Sequence, residues 1–404
     1  MTLNSKRVPL ASLGLESDDI EAMLRVLHSN NLTMGSEVKA FESEIAEYLK
    51  SKHFVMMNSG SSANLAIIEA LMRPSFGPAS LQPGDGVLLP AVAWPTTVWP
   101  VIQLGLTPLF VDVHPLTLAI DLTRAGEIIR ESQVPVKAIF PIHPLGRALD
   151  QAEFVAFSHS HGLVLISDVC ESLGSWDNDV HAGMSSLAAS FSFYFSHHIT
   201  TMEGGGVATN DDRLADDLRS IRSHGWSRDR HDAATWKPSG TDLNSRFLFV
   251  SAGYNIRPME IQAALGRGQI RRIDAYIARR REIASKVAAA LQGSDFGLIG
   301  SETLDSDPRS HSWMLLPIST PSREHASRAL SLLESMGIET RPVLTGNFTS
   351  QPALQRLVRD ELNPRIYTVA DRVTDNCFMV GCHHHFDDSQ VSHLVLGLRR
   401  AANL

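Results

Sequence analysis

Phe54-Val55-Met56-Met57-Asn58-Ser59-Gly60-Ser61-Ser62-Ala63-Asn64 reads as a strand, a turn of small residues and the opening of a helix. The apolar run comes first, Gly and Ser break it, and Leu65, Ile68, Leu71 and Met72 then recur at helical spacing. A strand that passes through such a turn into a helix offers free backbone N–H groups, the positive end of the helix dipole and serine hydroxyls. That combination suits a phosphate at Gly60 and Ser61. A plain serine N-cap accounts for the same residues, and taken alone they favour it.

Outward from this unit the alternation continues. Upstream, Val38, Phe41, Ile45 and Leu49 share a helical face. Downstream, Val87-Leu88-Leu89, Leu109-Phe110-Val111, Ala138-Ile139-Phe140 and Leu163-Val164-Leu165-Ile166 are short apolar runs bounded by Gly, Pro or Asp, the form of buried parallel strands. Strand alternating with helix between residues 37 and 225 predicts a doubly wound α/β domain with a mostly parallel sheet. A helical pattern then runs from Met259 to Leu291, broken near Arg272-Ile273-Asp274. Trp313-Met314-Leu315-Leu316 predicts a strand, and Arg323–Met336 a helix stopped by Gly337. This tail predicts a smaller α+β domain. Asp229–Ser245, polar and carrying Pro238 and Gly240, reads as a mobile loop.

With 404 residues, 43% of them hydrophobic, the chain can bury a large core over two or three domains. A formal net charge of −8 argues against a nucleic-acid partner. Arg271-Arg272 and Arg279-Arg280-Arg281 fall in the helical pattern and read as solvated faces. The first residues lack the apolar core of a signal peptide and no apolar run is long enough to cross a bilayer, so a cytoplasmic enzyme without a membrane partner is expected. Cys170, Cys377 and Cys382 cannot build a disulfide framework, nor supply the four thiolates of an ordinary iron–sulfur cluster. Cys382-His383-His384-His385 invites a metal reading. Adjacent His side chains are expected to diverge, however, and no complementary pair follows at ligand spacing, so no metal is assigned.

Ser190-Phe191-Ser192-Phe193-Tyr194-Phe195-Ser196-His197-His198-Ile199-Thr200-Thr201-Met202-Glu203-Gly204-Gly205-Gly206 points to the chemistry. It resembles the cofactor-lysine segment of the DegT/StrS group of sugar aminotransferases. There a strand of Ser and Phe leads through a loop to a lysine and then to Thr-rich and Glu-Gly-Gly residues; here His197 holds the lysine's position. The resemblance implies an aspartate aminotransferase-like α/β fold (pyridoxal phosphate fold type I). Its expected parts are an N-terminal segment, 1–30, contributing to the small domain, a large cofactor-binding domain, 31–270, and a small C-terminal domain, 271–404. A lysine bonds covalently to the cofactor aldehyde and an imidazole cannot. An imidazole, with an ordinary pKa of about 6.5, still moves protons near neutral pH. His197 is therefore expected to be the catalytic base of a site that has given up the covalent tether, as in the group's 3-dehydratases.

The same resemblance assigns the remaining residues. Gly60 and Ser61 take the phosphate of pyridoxal or pyridoxamine phosphate, and Ser192 adds a hydrogen bond to it. Asp168, at the carboxyl end of a buried strand where a carboxylate needs a cation or a proton, pairs with the protonated pyridine nitrogen. An Asp capping the next helix is the plainer reading of that residue. Glu171 lies near the ring hydroxyl, and Trp94 covers the pyridine face. Gly253-Tyr254-Asn255-Ile256-Arg257-Pro258 matches a motif whose Asn255 reaches the cofactor of a partner subunit, which implies a homodimer with shared sites. Arg257 is then available to a substrate carboxylate through a bidentate pair. His224, Glu339 and Arg341 stand in segments that resemble the substrate side of the 3-dehydratases. The three scattered cysteines favour the branch that needs neither cluster nor reductase. That branch implies L-glutamate and a nucleotide-linked 4-keto-6-deoxy sugar as substrates, with GDP the favoured nucleotide. A sugar aminotransferase and a non-catalytic homologue of the same fold are the alternatives.

Overall fold

The apolar runs become strands of one sheet. The computed structural model describes residues 7–12, 14–236, 243–304, 306–358 and 367–403. Its strands in chain order are β1 (His53–Met57), β2 (Gly86–Pro90), β3 (Thr107–Val111), β4 (Val136–Ile139) and β5 (Val164–Asp168). A small hairpin, β6 (Trp176–Asp177) and β7 (Val180–His181), precedes β8 (Ala188–Ser192) and β9 (Gly205–Thr209). The large sheet has the order β1-β9-β8-β5-β4-β2-β3. β3, β2, β4, β5 and β8 pair in parallel, and β9 runs against both β8 and β1. Every residue of β2 and β9 is buried, as strands covered by helices on both faces require. The helix Ser36–Leu49 buries Val38, Phe41, Ile45 and Leu49, the stripe its sequence marks. β9 begins with bare glycines for a steric reason: a Cβ on Gly205 would lie 2.4 Å from the amide nitrogen of Gly60.

A second, antiparallel sheet follows. It is built of β10 (Gly297–Leu298), β11 (Leu315–Ser319), β12 (Thr340–Pro342) and β13 (Cys377–Gly381), in the order β10-β11-β13-β12. The helices Ile273–Leu291, Arg323–Ser335 and Asp388–Ala401 close over it around Ile283, Val287, Leu316, Leu333, Phe378 and Leu394. Gly337 ends the second of these helices with φ 75°, a conformation that glycine adopts without strain. Val8 packs into this core and bridges to Ile338 in parallel. The helix Ser17–Ser29 lies elsewhere, against Glu260–Ile270, where the fully buried Asp19 accepts hydrogen bonds from Arg272 and Gln269.

Three expectations need correction. Trp313 is not part of a strand: it has φ 54°, is fully buried and stacks on His311 at 3.6 Å, so β11 starts at Leu315. Of these arginines only Arg271 is an exposed residue; the others are not solvated faces. Arg272 is held by Asp18 and Asp19, Arg279 by Glu282 and Asp388, and Arg281 donates to the His311 carbonyl. Arg280 has no exposed surface at all, because its helix buries the stripe Tyr276, Ile277, Arg280, Ile283, Ala284 and Val287. Finally, His383, His384 and His385 do not diverge. A turn at 384–385 gathers the three rings, with His383–His384 at 4.2 Å, His384–His385 at 4.3 Å and His383–His385 at 5.3 Å, and the Tyr276 ring stacks on His384 at 3.7 Å. Among the described residues no group of three or more His, Cys, Asp or Glu is arranged to hold a metal. Within the expected mobile loop, Arg230 pairs with Asp217 and Asp232, while residues 237–242, with Pro238 and Gly240, lie outside the described residues. No described helix is long and apolar enough to cross a membrane.

Candidate active site

The parallel strands all deliver residues to one end of the large sheet, their carboxyl end, where open α/β sheets place ligands. β1 leads into Asn58–Ser61, β2 into Trp94, β5 finishes at Asp168 and β8 at Ser192. Gly60, Ser61, Trp94, Asp168, Glu171, Ser192 and His197 line one cavity of about 310 Å3. Arg341, on β12 of the second sheet, closes it with Met314 and Leu344.

The phosphate corner is a helix start. Ser59 caps Gly60–Leu71, its hydroxyl accepting from the Ser62 N–H at 3.1 Å, and the first helical bond runs from Ala63 to Ser59. The Gly60 and Ser61 amides precede that bond and remain available to a ligand. A Cβ on Gly60 would sit 2.7 Å from the Ser192 Cβ and 2.9 Å from the Cys170 sulfur, so only glycine lets helix and β8 approach this closely.

Asp168, 3% exposed, is fixed by neutral donors: Asn64 at 2.8 Å, the Thr97 hydroxyl at 2.7 Å and the Cys170 amide at 3.0 Å. None of the three is a cation, so a protonated ring nitrogen in the cavity would be its natural partner. Glu171 accepts from the Leu145 amide at 2.9 Å; burial pushes its carboxyl up to about 7, aided by Asp168 and opposed by that hydrogen bond and Arg341. Trp94 keeps 42% of its surface exposed, and the Arg341 guanidinium stands 5.3 Å from its ring centre.

His197 sits in the loop that joins β8 to β9, its amide closing a turn onto Tyr194 at 3.0 Å. The Tyr194 ring meets the imidazole edge-on at 6.2 Å. Burial, with the Arg280 and Arg341 charges, lowers the imidazole to about 4, so at neutral pH it is uncharged and has a lone pair free to accept a proton. Its Nδ1 is buried and has no hydrogen-bond partner among the described residues. An anchored carboxylate, an aromatic wall, a helix start and a neutral imidazole around one cavity fit pyridoxal phosphate without a covalent link.

Other expected residues stand apart from the cavity. Asn255 is bonded to its own Arg257 at 3.1 Å, and His224 is exposed with φ 62°. Glu339 has another task, binding Arg7 and the Leu10 amide to secure the N-terminal segment. Sequence reading missed Asn64 and Thr97, which hold Asp168 across long separations that no local pattern reveals. Arg280 had left a signal, a charge inside the apolar stripe of its own helix.

Comparison with known proteins agrees with this geometry. Residues 14–399 match the DegT/DnrJ/EryC1/StrS aminotransferase family. A GDP-4-keto-6-deoxy-D-mannose 3-dehydratase of Yersinia pseudotuberculosis is 37% identical over 376 residues, 91% of this chain and 90% of that protein. The enzyme of the same name from Escherichia coli O55:H7 is 35% identical over 84% of this chain and 86% of its own. A crystal structure of GDP-4-keto-6-deoxymannose-3-dehydratase with a trapped PLP-glutamate geminal diamine superposes with a TM-score of 0.84 and 31% identity, over 98% of this chain and all of the other. With the match running through nearly the whole length, this chain belongs to the DegT/DnrJ/EryC1/StrS aminotransferase family.

Proposed function

We propose that this chain is a pyridoxal phosphate-dependent GDP-4-keto-6-deoxy-D-mannose 3-dehydratase that takes its amine from L-glutamate. The observation that carries this reading is His197 in a cavity without a lysine. Of the chain's lysines, the described ones, at 39, 50, 52, 137 and 286, all lie outside the cavity lining. Within the family an amine at that place supports amino transfer, whereas an imidazole leaves the amine form of the cofactor free to meet the sugar ketone.

The bound cofactor supplies an electron sink, which makes the carbon beside its amine acidic and lets the C3 hydroxyl leave. The protein's own residues do the rest. His197, neutral at working pH, takes that proton. Asp168, held by Asn64, Thr97 and the Cys170 amide, keeps the ring nitrogen protonated. Gly60, Ser61 and Ser192 anchor the phosphate, and Trp94 covers the ring. Arg341 and Glu171 also line the cavity, where substrate groups can reach them. Atoms balance: the sugar loses one oxygen, glutamate becomes 2-oxoglutarate and its nitrogen leaves as ammonia. No reductase and no iron–sulfur cluster are required. We also read the working enzyme as a cytoplasmic homodimer in which the partner subunit's Asn255 completes the phosphate site.

The test is incubation of the protein with pyridoxal phosphate, glutamate and GDP-, CDP- and dTDP-linked 4-keto-6-deoxy sugars. Loss of the C3 oxygen from the GDP sugar, with equal amounts of 2-oxoglutarate and ammonia, is the expected result. A product that keeps the nitrogen would instead identify an aminotransferase.

A further inference from the structure

Arg280 is the most deeply buried cation near the site, and among the described residues no carboxylate pairs with it. It lies on the helix Ile273–Leu291 with no exposed surface. Its Nη1 donates to the carbonyls of Trp313 (3.2 Å), Met314 (2.9 Å) and Cys382 (2.6 Å). Its Nη2 donates to the carbonyl of His197 at 3.2 Å. The acceptors come from three separate places: the approach to β11, the residue after β13 and the loop that carries the base. Burying a guanidinium without an ion pair is costly, and carbonyl dipoles compensate only part of the cost. A leucine or methionine would fill this stripe at no such cost, so the charge is retained for something other than packing.

We propose that Arg280 is a positioning residue for His197: its guanidinium ties the base's main chain to the second sheet. The charge reaches further than one residue. His197, His198, His383 and His384 line one small cavity, and for each of them Arg280 adds to the effect of burial in opposing protonation. Arg280 itself, lowered by burial to about 10, remains a cation at neutral pH. His197 is also faced by Arg341 from β12, by Asp168, Glu171 and Glu203 across the cavity, and by Tyr194 in its own loop. His311 acts on His198 and the Cys382 thiol on Arg280. Arg341 lines the open cavity, where a bound anion can neutralise it. Arg280 is sealed from solvent and ligand, so its effect on the base persists through the reaction.

The proposal rests on His197 as the base, and the titration arm of its test is readable without turnover. In cofactor-loaded protein labelled with 15N-histidine, the His197 signal is the one lost in His197→Asn. It is expected to stay neutral until below about pH 5, against an ordinary midpoint of about 6.5. Arg280→Met, which removes charge and donors, should raise that midpoint by about one unit or more. Arg280→Lys keeps the charge and loses the fan of donors; its midpoint should stay low while kcat falls about tenfold or more at unchanged KM for glutamate. A parental midpoint near 6.5, an Arg280→Met midpoint equal to the parental one, or parental kcat in Arg280→Lys would each overturn the proposal. Should Arg280→Met fail to fold, the parental titration and the lysine variant still decide. If the protein proves not to be a dehydratase, a low midpoint that rises in Arg280→Met still supports the role of Arg280, so the two readings fail separately.

Discussion

At position 197 an imidazole occupies the place of an amine, and the two differ in what they do with a carbonyl and with a proton. The imidazole cannot hold the cofactor covalently, so the pocket must hold it by other means; it can accept a proton at neutral pH, because its surroundings keep it uncharged. His197→Asn should therefore lower kcat by about 10²–10⁴-fold, the usual contribution of a positioned general base. Its affinity for pyridoxal phosphate should change little, since Gly60, Ser61, Trp94 and Asp168 remain. Activity within tenfold of the parent, measured as 2-oxoglutarate and ammonia release, would remove His197 from the role. At this scale the sequence was legible where a residue's neighbours in the chain are also its neighbours in space. His197 and Asp168 stand in such segments, and both line the cavity. Asn64 and Thr97 were not legible, because each acts on a carboxylate at a distant chain position. Arg280 was read as solvated because it sits among four other arginines, whereas the phase of its helix places it inside.

The elements were legible wherever burial and period agree. Runs such as Val87-Leu88-Leu89 had one reading, since a strand covered on both faces must be apolar throughout. Trp313 and the histidine run failed because tertiary contacts decide them: a left-handed backbone places the indole on His311, and a turn stacks three imidazoles beside Tyr276. The turn that opens Gly60–Leu71 is where the sequence allowed two readings, and substitution there separates them. Alanine at Gly60 strains the packing under either reading, but a plain N-cap would keep parental cofactor affinity in a folded variant. A phosphate cradle pressed against β8 would not, because the added methyl meets Ser192 and Cys170 at 2.7 and 2.9 Å. Gly60→Ala should cost about 1–3 kcal/mol by overpacking and move the exposed amides away from the ligand. A fall in pyridoxal phosphate affinity of about tenfold or more, followed by the cofactor's visible absorbance, is the expected reading. Parental affinity in a folded variant would place the phosphate elsewhere.

The arrangement of the whole molecule turns on what this single chain leaves unfinished. The Asn255 side chain accepts a hydrogen bond from its own Arg257, away from the cavity, yet it stands in the motif that led to its assignment as a phosphate ligand. Ile20, Leu24 and Leu27, one face of the helix Ser17–Ser29, are each nearly half exposed, as are Leu32 and Met259 beside them. Such a row suits burial against a second copy of the chain. If the partner subunit's Asn255 reaches the phosphate at Gly60 and Ser61, two defects can be segregated. In a mixed dimer of one His197→Asn chain and one Asn255→Ala chain, one site receives both lesions and the other receives none. The isolated heterodimer should then show about half the parental activity per dimer, although each homodimer is impaired. If Asn255 serves its own chain, every site carries one lesion, and the heterodimer stays at the level of the impaired homodimers. Isolation of the mixed dimer by two affinity tags, with turnover measured before subunits exchange, separates the outcomes, and activity at the lower level would refute the shared site.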